Sequence, residues 1–164
     1  MRFGLKNNLT LLLLSLCTSL FAGFEASVLY DYTASIECLE NPHKPQYDGG
    51  IITNPDLNLG LEGWSIFGNA KMEHRQLGGN KFLVCHSRNQ AHDSISQKLY
   101  LQKDMQYTFS AWFQVSEGEV PVRAFIKTSS GSKFVGAVVA ESKCWSMLKG
   151  GFTADESTPA ELFL

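Results

Sequence analysis

The amino-acid sequence predicts an all-β fold, a jelly-roll β-sandwich of two antiparallel sheets. From Gly49 onward, short apolar segments alternate with Gly, Asn, Ser and Pro at intervals of about 8–12 residues, the spacing expected of sandwich strands and their turns. Aromatic residues make up 12% of the chain and charged residues only 18%, a balance that suits pleated surfaces packed against a core. No segment in this part keeps a helical period, so no helix is expected there.

The clearest strand is predicted at Gln106–Val115. Its odd-numbered positions are apolar or aromatic, and its even-numbered positions are polar except for Trp112. Because the side chains of a strand alternate between two faces, this strand buries one face and presents the other to solvent. Val120–Lys127 repeats the scheme, with its odd-numbered positions turned outward.

Further strands follow from the same reasoning. Segment 94–101 sets Ile95, Leu99 and Leu101 against a polar face that includes Ser94 and Ser96. A later segment, Phe134–Ala140, is apolar on both faces, which predicts a central strand buried on both sides. The remaining strands are expected at three other segments, Lys81–His86, Trp145–Thr153 and Ala160–Leu164.

The first 26 residues have the layout of a cleaved signal peptide. A basic head with Arg2 and Lys6 precedes an uncharged, Leu-rich run over 9–21, which is shorter than the about 20 apolar residues that a membrane-spanning helix needs. That length disfavours the alternative, a membrane anchor. We therefore expect a secreted, extracellular protein that is free of the membrane after cleavage near Ala26. We also expect it to be monomeric. The chain then divides into a signal peptide (1–26), an extended polar lead-in (27–48) and one domain (49–164).

Three cysteines remain once Cys17 leaves with the signal peptide, namely Cys38, Cys85 and Cys144. In an oxidising compartment the simplest arrangement is one disulfide and one free thiol. We expect a Cys38–Cys144 bridge, which closes a long loop and stabilises the fold by about 3–5 kcal/mol. Cys85 lies in an apolar segment, where a buried thiol behaves as a small hydrophobic side chain. The spacings do not match a zinc site, so no metal ligand is assigned.

Composition and spacing disfavour two other classes of function. The net charge is −2 and the basic residues are scattered, so nucleic-acid binding is not expected. A glycosidase needs two carboxylates about 5–10 Å apart across the scissile bond, but the candidate acids lie in turn-like segments typical of solvated surface, at Glu37, Glu62, Glu117 and Glu119. The histidines match neither the spacing of zinc hydrolases nor a nucleophile motif, so no catalytic residue is predicted.

Ordered motifs along the chain are similar to those of a known family. They are 49–52 (GGII), 54–56 (NPD), 60–64 (GLEGW), 67–70 (FGNA), 87–90 (SRNQ), 93–97 (DSISQ), 107–112 (YTFSAW) and 141–151 (ESKCWSMLKGG). Together they resemble the N-terminal family 22 carbohydrate-binding module of plant endo-1,4-β-xylanases of glycoside hydrolase family 10. The resemblance covers nearly all of the chain after the signal peptide. It implies a β-jelly roll that binds the polysaccharide xylan, a hemicellulose, or mixed-linked β-glucan in a groove on one sheet, with no catalysis of its own.

One candidate sugar-binding surface is built around Trp112. Sugar rings have apolar C–H faces and a rim of hydroxyls, so a binding groove needs aromatic platforms and planar polar side chains. Trp112 lies on the polar face of its strand together with Ser110 and Gln114, and Arg123 of the next strand is a further candidate. An equal alternative is a Trp that packs within the protein, because Trp is usually well buried.

The resemblance implies a second set of sugar contacts. Arg88, Asn89 and His92 belong to a loop rich in hydrogen-bond donors, and His92 is the nearest match to a stacking Trp of bacterial relatives. A solvated loop without a ligand is the alternative for these residues. Phe134 falls near a groove Tyr of the family, whereas its doubly apolar strand favours a position in the core.

The family pattern extends beyond the segment that resembles residues 160–164. Segment 160–164 resembles the penultimate strand of the module, and neither the closing strand, nor the sugar-binding acidic residue before it, nor the xylanase barrel has a counterpart in residues 1–164. Two alternatives to an autonomous sugar binder are therefore a fragment of a full xylanase and a module with a structural or protein-contact role. No cofactor is assigned; a structural calcium is compatible with a jelly roll, but the sequence does not identify its ligands.

Overall fold

The computed structural model of the protein describes residues 36–42 and 49–164. This part of the chain contains ten β-strands and no α-helix, which confirms the all-β prediction. The strands are β1 (Ile36–Leu39), β2 (Ser65–Phe67), β3 (Lys71–Leu77), β4 (Asn80–His86), β5 (Ser94–Leu101), β6 (Gln106–Phe113), β7 (Glu119–Thr128), β8 (Gly131–Glu141), β9 (Trp145–Thr153) and β10 (Thr158–Phe163). Among these residues there is accordingly no helix with the length and hydropathy to cross a membrane.

Eight of the strands form one antiparallel sheet that curls on itself into a jelly roll. Its order is β1-β9-β8-β7-β10-β5-β2 with β6 paired to β9, and β3 and β4 form a separate hairpin. β8 and β9 meet where Gly136 opposes Gly150. The two backbones approach so closely there that a Cβ on Gly150 would collide with the carbonyl oxygen of Val135. The two layers of the predicted sandwich are therefore two parts of one curled sheet, with β2, β5, β10, β7 and β8 in one layer and β9, β6 and β1 in the other.

The hydrophobic core lies between these two layers. It is formed by small and aliphatic side chains of both, namely Leu101, Ala124, Ile126, Val135, Val138, Leu148, Ala154, Ala160 and Leu162. Tyr107, Phe109 and Phe113 of β6, which the alternation predicts to face inward, pack against this cluster. Burial of each large aliphatic side chain stabilises the fold by about 1.5–3 kcal/mol relative to exposure.

The strands predicted from periodicity are present with small changes at their ends. β9 has the predicted bounds, Trp145–Thr153. β6 ends at Phe113, and Val115 makes only an isolated bridge to Ser142. The alternation of β7 is also as predicted, because Ala124 and Ile126 are buried while the odd-numbered positions around them face outward.

Three strands were not predicted from periodicity. β3 is mostly charged and polar because its hairpin exposes Lys71, Glu73 and Arg75 to solvent. β2 is only three residues long, too short for a periodic signal. β1 lies within the lead-in 27–48, where the polar composition predicts no packed element, yet it pairs with β9. Residues 27–35 and 43–48 of that lead-in and the predicted signal peptide (1–26) lie outside the described residues.

A tightly bonded loop precedes β2 and sets its position. The side chain of Gln97 is buried in β5, where Oε1 accepts from the Thr53 N–H at 2.7 Å and Nε2 donates to the Thr53 carbonyl at 2.9 Å. Asn54, whose φ is 53°, donates its amide to the carbonyls of Gly60 and Glu62. These bonds fix both ends of the loop, so that β2 begins directly after it beside β5.

Candidate functional site

A row of phenylalanine rings crosses the outward face of the sheet. Phe163 of β10 opposes Phe125 of β7, and Phe125 opposes Phe134 of β8. The ring centroids are 5.5 Å apart in the first pair, which is stacked, and 5.7 Å apart in the second, which is edge-to-face. Phe67 of β2 stacks on the other side of Phe163 at 4.1 Å with an interplanar angle of 8°. We call Phe67, Phe163, Phe125 and Phe134 the phenylalanine row.

Small side chains on β5 allow this row to form. β5 lies between β2 and β10, and its residues on the outward face at this level are Ser94 and Ser96. Phe67 can therefore extend across β5 to reach Phe163. The expectation that Ser94 and Ser96 lie on a solvated polar face is wrong, because they are only 3% and 1% exposed. The alternation correctly places both serines on the outward face, but the aromatic rings of neighbouring strands cover them there.

The row becomes more exposed from its Phe163 position toward Phe134. Phe163 is 8% exposed, Phe125 is half-buried, and Phe134 is 54% exposed. The prediction that the strand Phe134–Ala140 is buried on both sides is wrong for its outward face, where Val139 is also exposed. β8 is central in the order of the sheet, but only its inward side contacts the core. Phe134 thus presents an apolar ring surface to solvent.

A polar row runs beside the phenylalanine row. Glu161 of β10 opposes Lys98 of β5 on one side and Lys127 of β7 on the other. The Glu161 carboxylate accepts a hydrogen bond of 2.7 Å from the Ser96 hydroxyl. The Lys127 ammonium lies 5.1 Å from the centroid of the Phe67 ring, within the range of a cation–π contact. The face therefore combines an apolar strip with donors and acceptors at its edge.

The loop before β5 is held in place by Asp93. This side chain is fully buried, and its carboxylate accepts from the backbone N–H groups of Asn69, Asn89 and Gln90 at 2.8–2.9 Å. These hydrogen bonds stabilise the charged form and lower the pKa of the Asp93 carboxyl below its ordinary value, against the opposing effect of burial. Asp93 thereby joins the loop to the turn that follows β2. It was part of a recognised motif but was not predicted as a structural centre.

Only part of this loop reaches the phenylalanine row. The ring of His92 meets the ring of Phe67 edge-to-face at 6.3 Å, and its Nε2 lies 3.9 Å from Asp93 Oδ1. His92 is therefore at the Phe67 end of the row, with 59% of its side chain exposed. The Arg88 guanidinium donates to the Ala91 carbonyl at 2.6 Å, within its own loop. The backbone N–H of Asn89 is bonded to Asp93, and the structure gives its side chain no hydrogen bond to the row.

The structure does not bring Trp112 and Gln114 to this face. Trp112 opposes Met147 in the pairing of β6 with β9, on the side that points away from the core. With its amide oriented to satisfy both bonds, Gln114 accepts from the N–H groups of Lys143 and Cys144 at 3.0 and 2.9 Å. Trp112 also has interaction partners and is not a free platform. The predicted residues thus belong to two separate surfaces, one with His92 and Phe134 and one with Trp112 and Gln114.

Sequence reasoning missed three of the four rings in the row. Phe125 gave a usable signal, because it is an aromatic residue among the outward, otherwise polar positions of β7. Phe67 and Phe163 gave none, since their neighbours in the row belong to strands distant in the sequence. The exposed Arg123 lies on the same outward face as Phe125, two residues earlier on β7.

The described residues provide no evident metal site. In 36–42 and 49–164, no three His, Cys, Asp or Glu side chains gather in a way that could hold an ion. In this part of the chain, a structural calcium would therefore not be held by a cluster of such side chains.

Cys85 is a free thiol, as expected from the sequence. Burial raises the pKa of the Cys85 thiol.

Comparison with curated proteins relates the chain to plant xylanases. Endo-1,4-beta-xylanase 5-like from Arabidopsis thaliana is 26% identical over 136 residues, which cover 82% of this chain and 21% of that protein. Endo-1,4-beta-xylanase 5 from the same plant is 32% identical over 71 residues, covering 42% of this chain and 12% of that protein. The chain thus spans about a fifth of the length of the first relative and less of the second.

Solved structures share the fold at low sequence identity. The CBM22-2 xylan-binding domain from Paenibacillus barcinonensis has a TM-score of 0.55 at 12% identity, covering 66% of this chain and 79% of that chain. The CBM22-1 and GH10 modules of a Clostridium thermocellum endo-1,4-beta-D-xylanase, complexed with xylohexaose, have a TM-score of 0.54 at 13% identity, covering 62% of this chain and 22% of that chain.

Residues 49–164, well over half of the chain, match the family described as carbohydrate binding domain. The chain belongs to this carbohydrate binding domain family, related to the modules attached to xylanases.

Proposed function

We propose that the domain binds xylan without catalysing its hydrolysis, and that the phenylalanine row is the binding surface. The observation that carries this proposal is the row itself, because four aromatic rings cross the sheet and end in the solvent-exposed Phe134. The outer strands of the row, β2 and β8, are separated by about 19 Å, since neighbouring strands lie about 4.8 Å apart and three strands intervene. Over this length the exposed Phe134 ring and the exposed parts of the half-buried Phe67 and Phe125 rings can contact several sugar rings in succession.

The polar row supplies the second half of the recognition. Pyranose rings stack on aromatic surfaces through their C–H faces, while their hydroxyls need donors and acceptors at the edge of the platform. The Lys98 and Lys127 ammonium groups can donate and the Glu161 carboxylate can accept, and all three belong to one register across β5, β10 and β7. Among solved relatives, the Clostridium thermocellum modules were complexed with xylohexaose and the Paenibacillus barcinonensis domain is named xylan-binding.

The same geometry supports a non-catalytic role. Glycosidases place two carboxylates on either side of the scissile bond, whereas Glu161 is the one carboxylate within the polar row and is bonded to Ser96. The curated relatives are xylanases of which this domain spans about a fifth or less. The role we propose is to keep an attached catalytic unit near its insoluble substrate by raising the effective concentration.

The proposal extends to the compartment and the cysteines. We infer secretion from the layout of residues 1–26. A location at the cell wall rests on the proposed binding of xylan. Support for the Cys38–Cys144 disulfide comes from strand pairing, because Cys38 belongs to β1 and Cys144 directly precedes β9, the strand with which β1 pairs. Intact mass after alkylation in urea, without and with prior reduction, tests it: we expect one alkylated cysteine in the unreduced protein and three after reduction.

The binding proposal is tested by affinity gel electrophoresis in soluble xylan. Phe134→Ala removes an exposed ring, so the fold should survive while retardation falls, with affinity lower by about fivefold or more. Leu77→Ala, which truncates a 75% exposed side chain on the β3–β4 hairpin, is the matched control and should migrate like the parent. Unretarded migration of the folded parent protein in both xylan and mixed-linked β-glucan would overturn the proposal and favour a structural role.

A further inference from the structure

We propose that the polysaccharide recognised at the phenylalanine row carries carboxylate groups, as a uronic acid-substituted xylan does, and that Lys98, Lys127 and Arg123 attract them. This inference rests on the proposed function and specifies its substrate class. The three cations lie on the same outward face as the row, one on β5 and two on β7. All three residues are exposed.

None of these three cations forms an ion pair with the described residues. Among the described residues, the ion pairs of lysine and arginine side chains involve Arg75 with Glu73 and Lys133 with Asp155. Lys98, Arg123 and Lys127 take part in neither, although Glu161 lies between the two lysines in register. One carboxylate thus lies between two lysines, and it is already engaged by the Ser96 hydroxyl, while Arg123 lies on the other side of Phe125 along β7. The local excess of positive charge is available to an anionic ligand.

The position of Lys127 links the charge to the aromatic surface. Its ammonium lies 5.1 Å from the centroid of the Phe67 ring, which is itself stacked on Phe163. The cation–π contact draws the ammonium toward the row rather than out into solvent. A sugar that stacks along the row therefore has this ammonium at its edge, where a carboxylate substituent can pair with it.

The excess positive charge is local. The whole chain has a net charge of −2, so an acidic polymer gains nothing from the overall charge of the protein. The far end of the same face is acidic, because Glu119 of β7 opposes Glu141 of β8 beyond Pro121 and Val139. Carboxylate substituents should therefore be accepted beside Lys98 and Lys127 and disfavoured beside this glutamate pair.

The test compares one polymer in two charge states. Isothermal titration calorimetry of the whole protein uses glucuronoxylan and the same glucuronoxylan after reduction of its carboxyl groups to neutral alcohols, each at low and high NaCl. We expect tighter binding of the acidic polymer by about two- to fivefold for each lysine that pairs with it. This preference should shrink in about 1 M salt, where the Debye length falls to about 3 Å. Binding of the neutral polymer should be insensitive to salt.

Variants locate the effect. The double variant Lys98→Gln/Lys127→Gln should bind the acidic polymer no better than the reduced one, while Lys103→Gln, on the turn after β5, should keep the preference. Equal binding of both polymers by the parent protein would overturn the carboxylate inference and leave xylan binding intact. Absence of binding to either polymer would overturn both. A preference that survives the double variant would show that other residues recognise the carboxylate, contrary to the inference.

Discussion

The small size of Ser96 is a requirement of the phenylalanine row, and this can be tested by enlarging it. Ser96 is 1% exposed and donates to the Glu161 carboxylate at 2.7 Å. Ser96→Ala removes that bond while keeping the space, so we expect a loss of about 1 kcal/mol, since Glu161 is half-buried and water can replace the donor. Ser96→Leu loses the same bond and also displaces the Phe67 ring, and overpacking adds about 1–3 kcal/mol.

Thermal and urea unfolding followed by circular dichroism measure both variants against the parent protein. For a domain of this size, a loss of 1 kcal/mol lowers Tm by about 3–6 °C, so Ser96→Ala should fall in that range and Ser96→Leu should lose at least twice as much. The leucine variant should also bind xylan less well, because Phe67 no longer stacks on Phe163. A leucine variant as stable as the alanine variant would refute the reasoning, because the space over Ser96 would then be free.

Two further predictions concern buried polar groups. Because the pKa of Asp93 is lowered in the folded state, the unfolded chain takes up a proton at this carboxylate at a higher pH than the folded protein does. The charged carboxylate therefore stabilises the fold at neutral pH, and this stabilisation is lost as the pH falls below the ordinary carboxyl range near about 4. Asp93→Asn should therefore lower Tm strongly at pH 7 and much less at pH 3, and a difference that stays constant with pH would contradict this. Since burial raises the pKa of the Cys85 thiol, thiolate is scarce, and a maleimide should label native Cys85 far more slowly than it labels glutathione at pH 7.5. Labelling should become fast in urea, whereas equal rates for the native protein and glutathione would refute the burial argument.

The strands could be predicted where one face packs on the core and the other meets solvent. β6 and β7 met that condition, and the inward positions of both agree with the alternation. β3 failed it because its hairpin leaves charged side chains exposed. β1 failed it because it lies in a largely polar segment, yet it pairs with β9. Local periodicity reports which face is buried, and it carries no information about backbone pairing in polar segments.

The candidate site was harder to predict than the strands. Phe67, Phe125 and Phe163 come from strands far apart in the sequence and meet only through the strand order β2-β5-β10-β7 and its register. The resemblance located His92 and Phe134 at this face, but it could not supply the register that joins them. Trp112 gave the strongest local signal, an aromatic residue on a polar face, and the structure nevertheless puts it on the opposite layer.

The location of the sugar is the central claim, and an NMR titration of the ¹⁵N-labelled protein with xylohexaose tests it most directly. The account predicts that amide shifts change along the outward-facing positions of β5, β10, β7 and β8 and at His92, while the indole signals of Trp112 and Trp145 stay in place. Shifts concentrated at Trp112 and Gln114, with Phe125 and Phe134 unaffected, would contradict it and assign binding to the other layer.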